Sequence, residues 1–90
     1  MEKKMETRVA VIAIIIEDGS SAQEVNELLH GAAKYIIGRM GIPYRDKGIS
    51  IISIAIDAPQ DIISTLSGKI GRQKGVSVKT AYSNVVSKEN

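Results

Sequence analysis

Val9-Ala10-Val11-Ile12-Ala13-Ile14-Ile15-Ile16 is apolar at every position. A strand points alternate side chains to opposite faces, so a run that is apolar at both parities needs cover above and below. Ile49-Ser50-Ile51-Ile52-Ser53-Ile54-Ala55-Ile56-Asp57-Ala58 is nearly as apolar, which predicts a sheet with two central strands. Two other segments carry helical spacing. If both cover the same side of the sheet, the opposite side is left for another copy of the protein.

The first strand is expected from about Arg8 to Glu17, ended by Asp18-Gly19. Ser21-Ala22-Gln23-Glu24 has capping-box spacing, in which the Ser oxygen and the Glu carboxylate each satisfy an orphan backbone N–H. Val25, Leu28, Leu29, Ala32, Ile36 and Met40 then predict one helix, with Gly41 at its C′ position and Pro43 beyond it. A short strand over Pro43 to Arg45 turns through Asp46-Lys47-Gly48 into the strand 49–58. The second helix is expected to open with Asp57 as cap, Pro59 in its first turn and Asp61 against the positive end of the helix dipole. Ile62, Ile63, Leu66 and Ile70 form its apolar stripe, Gly75 stops it, and Val76, Val78, Thr80 and Tyr82 alternate as a last strand.

The order β-α-β-β-α-β predicts an α+β, ferredoxin-like domain: a four-stranded antiparallel sheet with two helices on one face, because both right-handed crossovers fall on the same side. Strands one and three are then central. Val11, Ala13, Ile15, Ile51, Ser53 and Ala55 form the uncovered face, where the small residues allow close approach of a second sheet. Burying roughly 600 Å² of apolar surface per subunit contributes on the order of 15 kcal/mol before association entropy is subtracted. The expected assembly is a homo-dimer or homo-tetramer.

The chain has 90 residues, enough for one domain, since chains of this size bury only roughly 60 to 65% of their unfolded surface. The domain is expected over residues 8–86, with tails at 1–7 and 87–90. Twelve Lys and Arg oppose ten Asp and Glu, giving a net charge of +2; with the cations scattered, direct DNA binding is disfavoured. The absence of Cys excludes disulfides, thiolate zinc sites and thiolate ligation of iron–sulfur clusters by this chain. The start, Met1-Glu2-Lys3-Lys4-Met5-Glu6-Thr7-Arg8, lacks a small-residue cleavage site, and the eight-residue apolar run that follows is too short to span a bilayer. A cytoplasmic protein without a membrane association is expected.

Five segments together resemble a known family across nearly the whole chain: Val25-Asn-Glu-Leu-Leu-His30, Tyr35-Ile-Ile-Gly-Arg-Met-Gly-Ile-Pro-Tyr44, Gly48-Ile-Ser-Ile-Ile-Ser53, Leu66-Ser-Gly-Lys-Ile-Gly-Arg72 and Gly75-Val-Ser-Val-Lys79. They resemble the small ACT-like proteins described as regulators of the iron-only hydrogenase system. That group is similar in fold to the C-terminal, effector-binding domain of the nickel-responsive transcriptional regulator, and the resemblance implies a dimer or tetramer built by sheet packing. The metal constellation of that regulator needs several His and a Cys, whereas this chain has one His and no Cys, so the same nickel site is excluded. Its ribbon-helix-helix DNA-binding domain has no counterpart in the roughly seven residues before the first strand. No cofactor is implied.

The candidate ligand-binding residues are Asp18, Gly19, His30, Arg39, Tyr44 and Arg45. Arg39, Tyr44 and Arg45 are expected around the end of the first helix and the start of the second strand, where two guanidinium groups and a phenol suit a small anionic effector. Asp18 and Gly19 occupy the first strand-to-helix loop, where the effector of many ACT-type domains sits; that carry-over is implied by the resemblance alone. His30 is one per chain and becomes several in an oligomer; its alternatives are a solvated flank residue and a buried structural His. Gly68-Lys69-Ile70-Gly71-Arg72 lacks the spacing of a phosphate loop, and its glycines are expected to serve helix packing. No Ser nucleophile, acid and His assemble into a catalytic set. The expected function is a non-enzymatic oligomeric regulator, of transcription or of the hydrogenase system, that binds a small effector or a protein partner. The alternatives are a protein-docking module without an effector and DNA binding by the assembled oligomer.

Overall fold

The structure is a computed structural model that describes residues 6–85; the two tails expected from the sequence fall largely outside them. The chain runs β1 (Arg8–Ile16), α1 (Ala22–Gly31), β2 (Ile36–Tyr44), β3 (Ile49–Ala58), α2 (Gln60–Gly71) and β4 (Val76–Tyr82). The four strands form one antiparallel sheet in the order β2-β3-β1-β4, the ferredoxin-like arrangement that the element order predicts. Both apolar strands are central, as their two-sided hydrophobicity requires.

Strand parity decides what is buried. Ala10, Ile12, Ile14 and Ile16 of β1 and Ile52, Ile54, Ile56 and Ala58 of β3 are all buried on the helix side. Val25 and Leu29 of α1 and Ile63, Leu66 and Ile70 of α2 close over them. Tyr35 and Tyr82 pack at the edges of this core. The Arg8 guanidinium stacks 4.5 Å from the Tyr82 ring centre and donates to Gln60 Oε1 at 3.0 Å and to the Ser83 carbonyl at 3.1 Å, which ties the end of β4 to the start of α2.

Four local expectations are corrected. The first helix does not run to Met40: it ends at Gly31, a single 3-10 turn follows at Ala33–Tyr35, and Ile36 and Met40 belong to β2. A strand of three residues at 43–45 would leave most of the ten-residue β3 without a partner on its outer edge. Pairing residues 36–44 with β3 satisfies those backbone groups, and this outweighs the continuing helical spacing, which is a local preference only. The register slips at a bulge between Ile36 and Gly38, leaving Ile37 66% exposed.

Second, Ser21 makes no side-chain capping bond to the helix. Its buried hydroxyl donates instead to the Lys74 carbonyl at 2.6 Å, while Asp18 caps the preceding 3-10 turn by accepting from the Ser20 amide at 2.9 Å and the Ser20 hydroxyl at 2.7 Å. Third, Pro59 rather than Asp57 precedes α2, because β3 continues to Ala58 and holds Asp57 in its ladder opposite Val9. Fourth, α2 ends at Gly71, and a Cβ at Gly68 or Gly71 would meet its nearest neighbour only at ordinary distances of 3.7 and 3.8 Å, so close packing does not require either glycine.

The two positive-φ residues mark the two tight entries into strands. Gly48 (φ +64) closes the 3-10 turn that joins β2 to β3, and Gly75 (φ +69) leads into β4. Glycine reaches this conformation without the steric penalty of a Cβ.

Candidate functional site

The side of the sheet away from the helices carries no element among the described residues. Its cross-strand rows can be read from the registers. Ala81, Val11, Ala55 and Gly38 form one row, Lys79, Ala13, Ser53 and Met40 the next, and Ser77, Ile15, Ile51 and Ile42 a third. The predicted interface residues Val11, Ala13, Ile15, Ile51, Ser53 and Ala55 are thus three directly paired couples on one face, Val11 with Ala55, Ala13 with Ser53 and Ile15 with Ile51. Val11 is 44% exposed and Ile15 39%, and Met40, Ile42 and Tyr44 of β2 are likewise exposed. The row that holds Ala55 is shallow, since it combines Ala81, Val11 and a glycine; Met40, Ile42, Ile15 and Ile51 stand beside it. Four strands spaced about 4.8 Å apart and nine residues long at about 3.3 Å per residue present on the order of 600 Å².

The six candidate ligand residues do not converge. Asp18 and Gly19 lie where β1 leaves the sheet, on the same end as the β2–β3 turn that holds Arg45. His30 is exposed in the last turn of α1, the other end of a helix that begins beside Asp18. Arg39 pairs with Ile54 and Tyr44 with Ile49, positions of opposite parity on β3, so the guanidinium is on the helix side and the phenol on the open side. Placing Arg39 at a helix end, beside Tyr44, is therefore corrected: nine residues of β2 alternate faces, and the sheet stands between the two groups.

Arg39 lines a hollow between α1 and β2. A space of about 260 Å³ lies between α1 and β2, bounded by Ile16, Ala22, Asn26, Arg39, Gly41, Ile42, Pro43 and Ser50 to Ile52. Arg39 Nη2 donates to Asn26 Oδ1 at 2.6 Å, and both residues line this space. Asn26, Gly41 and Ser50 were not singled out by sequence, because Gly41 is adjacent to Asn26 and Ser50 only once 36–44 is a strand. A second space of about 270 Å³ lies between the helices, lined by Leu28, Ala32, Ile62 and Leu66 with Glu27 and Lys69 as its charged groups.

The Asp18 carboxyl is held below its ordinary value of 3.8 by the two bonds from Ser20 and by the positive charge of Lys74, whose Nζ is 3.7 Å away. A carboxylate whose folded value is lowered stabilises the fold fully above its ordinary value, and that stability is lost as pH falls through the folded value. Asp18→Asn is expected to reduce stability at neutral pH and to flatten the decline below about pH 4, measured as urea midpoint against pH; an unchanged acid limb would remove Asp18 from its cause. Among the described residues, no group of three His, Asp or Glu side chains is placed to hold a metal ion, and no helix is long and apolar enough to cross a membrane.

Residues 8–80 match the family described as "TM1266-like: Iron-only hydrogenase system regulator, putative". The chain belongs to this family. An uncharacterized protein from Thermotoga maritima, TM1266, is 36% identical and superposes with a TM-score of 0.82 over 86% of this chain and 98% of its own, which agrees with the family and with the α+β architecture. A formyltetrahydrofolate deformylase from Pseudomonas putida KT2440 superposes with a TM-score of 0.60 at 11% identity, over 81% of this chain and 28% of its own. That likeness concerns the fold alone. No curated protein matches the chain. Family membership supports the resemblance seen in the five sequence segments, of which the β2 segment Tyr35 to Tyr44 contains the cavity residues Arg39 and Gly41.

Proposed function

We propose that the chain is a non-enzymatic regulator that works as a homo-oligomer, joined through the open face of its sheet and responsive to a small effector or a protein partner. The single observation that carries this reading is the open face, whose Val11, Ile15, Met40 and Ile42 are left exposed in the isolated protomer. Contiguous apolar patches of several hundred Å² mark interaction sites, and roughly 600 Å² approaches the ~800 Å² per partner of a stable interface. A second copy fits best, because the face is self-complementary in chemistry. It is apolar over three strands, small along the Ala55 row, and its side chains Lys79 and Asp57 bring charges of both signs on opposite flanks of β1. A two-fold axis through β1 and β3 would pair like rows without stacking like charges.

The family description supports regulation of the iron-only hydrogenase system as the setting. Native mass spectrometry of the gently purified protein tests the proposal. A dimer or tetramer is expected, with a stoichiometric extra mass if an effector survives desolvation. An empty oligomer shifts the reading to docking of a protein partner, and a monomer overturns assembly through the sheet.

A further inference from the structure

Within the four strands the open side of the sheet holds a single acid and a single base, Asp57 of β3 and Lys79 of β4. Apart from Ser53, Ser77 and Tyr44, the other positions of that parity are aliphatic, Met or Gly. Both charged side chains are exposed, and neither pairs with an opposite charge among the described residues. They do not reach each other within one protomer. Asp57 lies opposite Val9 and Lys79 opposite Ala13, on strands that flank β1. With strands about 4.8 Å apart and a rise of about 3.3 Å per residue, the two positions are roughly 16 Å from one another.

A second copy brings them together. In a two-fold pair, any contact of one residue with another on the partner is repeated with the roles exchanged. The midpoint between Asp57 and Lys79 falls on β1, halfway from Val9 to Ala13, at Val11. A two-fold axis over Val11, perpendicular to the line joining the two charges, exchanges their positions. Lys79 then faces the partner's Asp57, and Asp57 faces the partner's Lys79. The same axis sets Val11, 44% exposed, against its own copy. Its row of Ala81, Ala55 and Gly38 is the shallowest on the face, so the two sheets approach most closely there. An axis along the row of Lys79, Ala13 and Ser53 would instead set Lys79 over its own copy, and like charges in contact oppose association.

We infer that Lys79 and Asp57 form two reciprocal ion pairs across the sheet-on-sheet interface, and that these pairs select a like copy of this chain and centre it on Val11. This rests on the assembly part of the proposed function and names the residues that make it self-selective. Lys79 is on an edge strand and Asp57 is next to the end of β3, so both belong to the rim of the apolar face. An ion pair at a solvated rim adds little affinity. Its effect is on partner choice, because a copy with the wrong sign at either position meets repulsion at both ends of the interface.

The test is a charge exchange followed by native mass spectrometry of the full chain. Lys79→Glu and Asp57→Lys each create two like-charge contacts, and each should weaken self-association by about 100-fold or more while far-ultraviolet circular dichroism is retained. An equimolar mixture of the two variants, one of them isotopically labelled, should form assemblies holding both chains in equal number, because every new charge then meets an opposite one. The double variant Lys79→Glu/Asp57→Lys should assemble with itself as the parent chain does. Single variants that self-associate as tightly as the parent would overturn the pairing and leave Lys79 as a charge that merely guards a sheet edge. Variants that remain monomers when mixed would also overturn it. In both cases the parent chain is still an oligomer and the proposed assembly stands, whereas a monomeric parent chain overturns the assembly and the pairing together.

Discussion

Ala55→Arg is expected to convert the proposed sheet-on-sheet oligomer to monomers without unfolding the protomer. Ala55 lies in the shallowest row of the open face, between Val11 and Gly38, and in a sheet-on-sheet dimer its methyl group would meet the partner at close range. An arginine there places a charge and several additional methylenes where neither has room. The residual cost of burying an ion without a partner is several kcal/mol; at about 4 kcal/mol the dissociation constant rises close to a thousandfold. The protomer itself has no reason to fail, since position 55 projects away from the core and the side chain can extend into solvent once the partner has left. Sedimentation mass should fall to that of one chain while far-ultraviolet circular dichroism is retained. Ala55→Ser is the companion variant: it adds only a hydroxyl beside Ser53 and should stay assembled. An unchanged mass for the arginine variant would mean that the open face is not the subunit interface.

Gly75→Ala is the substitution expected to damage the fold most for the smallest change in composition. At φ +69, any residue with a Cβ carries the left-handed penalty of roughly 1–2 kcal/mol. The added Cβ would also fall 2.6 Å from Asp18 Cβ and 2.9 Å from the Asp18 backbone nitrogen. The second contact is with backbone and cannot be relieved by a rotamer change. Asp18 cannot retreat cheaply, because the neighbouring Glu17 amide donates to the Gly75 carbonyl at 2.7 Å and Asp18 itself caps the following turn. The loss should total roughly 3 kcal/mol, combining the left-handed penalty with overpacking. Gly48→Ala is the control: its φ is +64 but a Cβ there meets nothing within 4 Å, so only the conformational part, about 1–2 kcal/mol, is expected. Urea unfolding at one fixed protein concentration measures both, which matters because assembly contributes to apparent stability. Equal losses for the two variants would show that the approach to Asp18 costs nothing.

The last strand 76–82 was legible from its alternation and the strand 49–58 from a run that is apolar at both parities, although Asp57 within that strand was also expected to cap the second helix. The second helix was legible in its stripe, Ile63, Leu66 and Ile70, and blurred only at its ends. The same local logic failed over residues 32–44. Leu29, Ala32, Ile36 and Met40 do recur at helical spacing, yet Ile36-Ile37 and the glycines Gly38 and Gly41 are equally at home in an edge strand, and nothing inside the segment chooses between the two. The error carried through to the candidate site: with Arg39 assigned to a helix end, its cavity partners Asn26, Gly41 and Ser50 had no reason to be read together. Ser21 was a smaller failure of the same kind, a capping residue by spacing whose hydroxyl is claimed by a carbonyl 53 residues away.

By itself the sequence determined the architecture and the existence of an uncovered apolar face, because both follow from strand parity, a property of consecutive residues: β1 and β3 are apolar on two sides, and two helices can cover only one. Tertiary structure alone decided where α1 ends and where β2 begins, and so which side of the sheet receives Arg39 and which receives Tyr44. The physical reason is that the outer edge of β3 must have its backbone hydrogen bonds filled. That demand comes from residues 49–58 and acts on residues 36–44 only after the chain has folded back on itself.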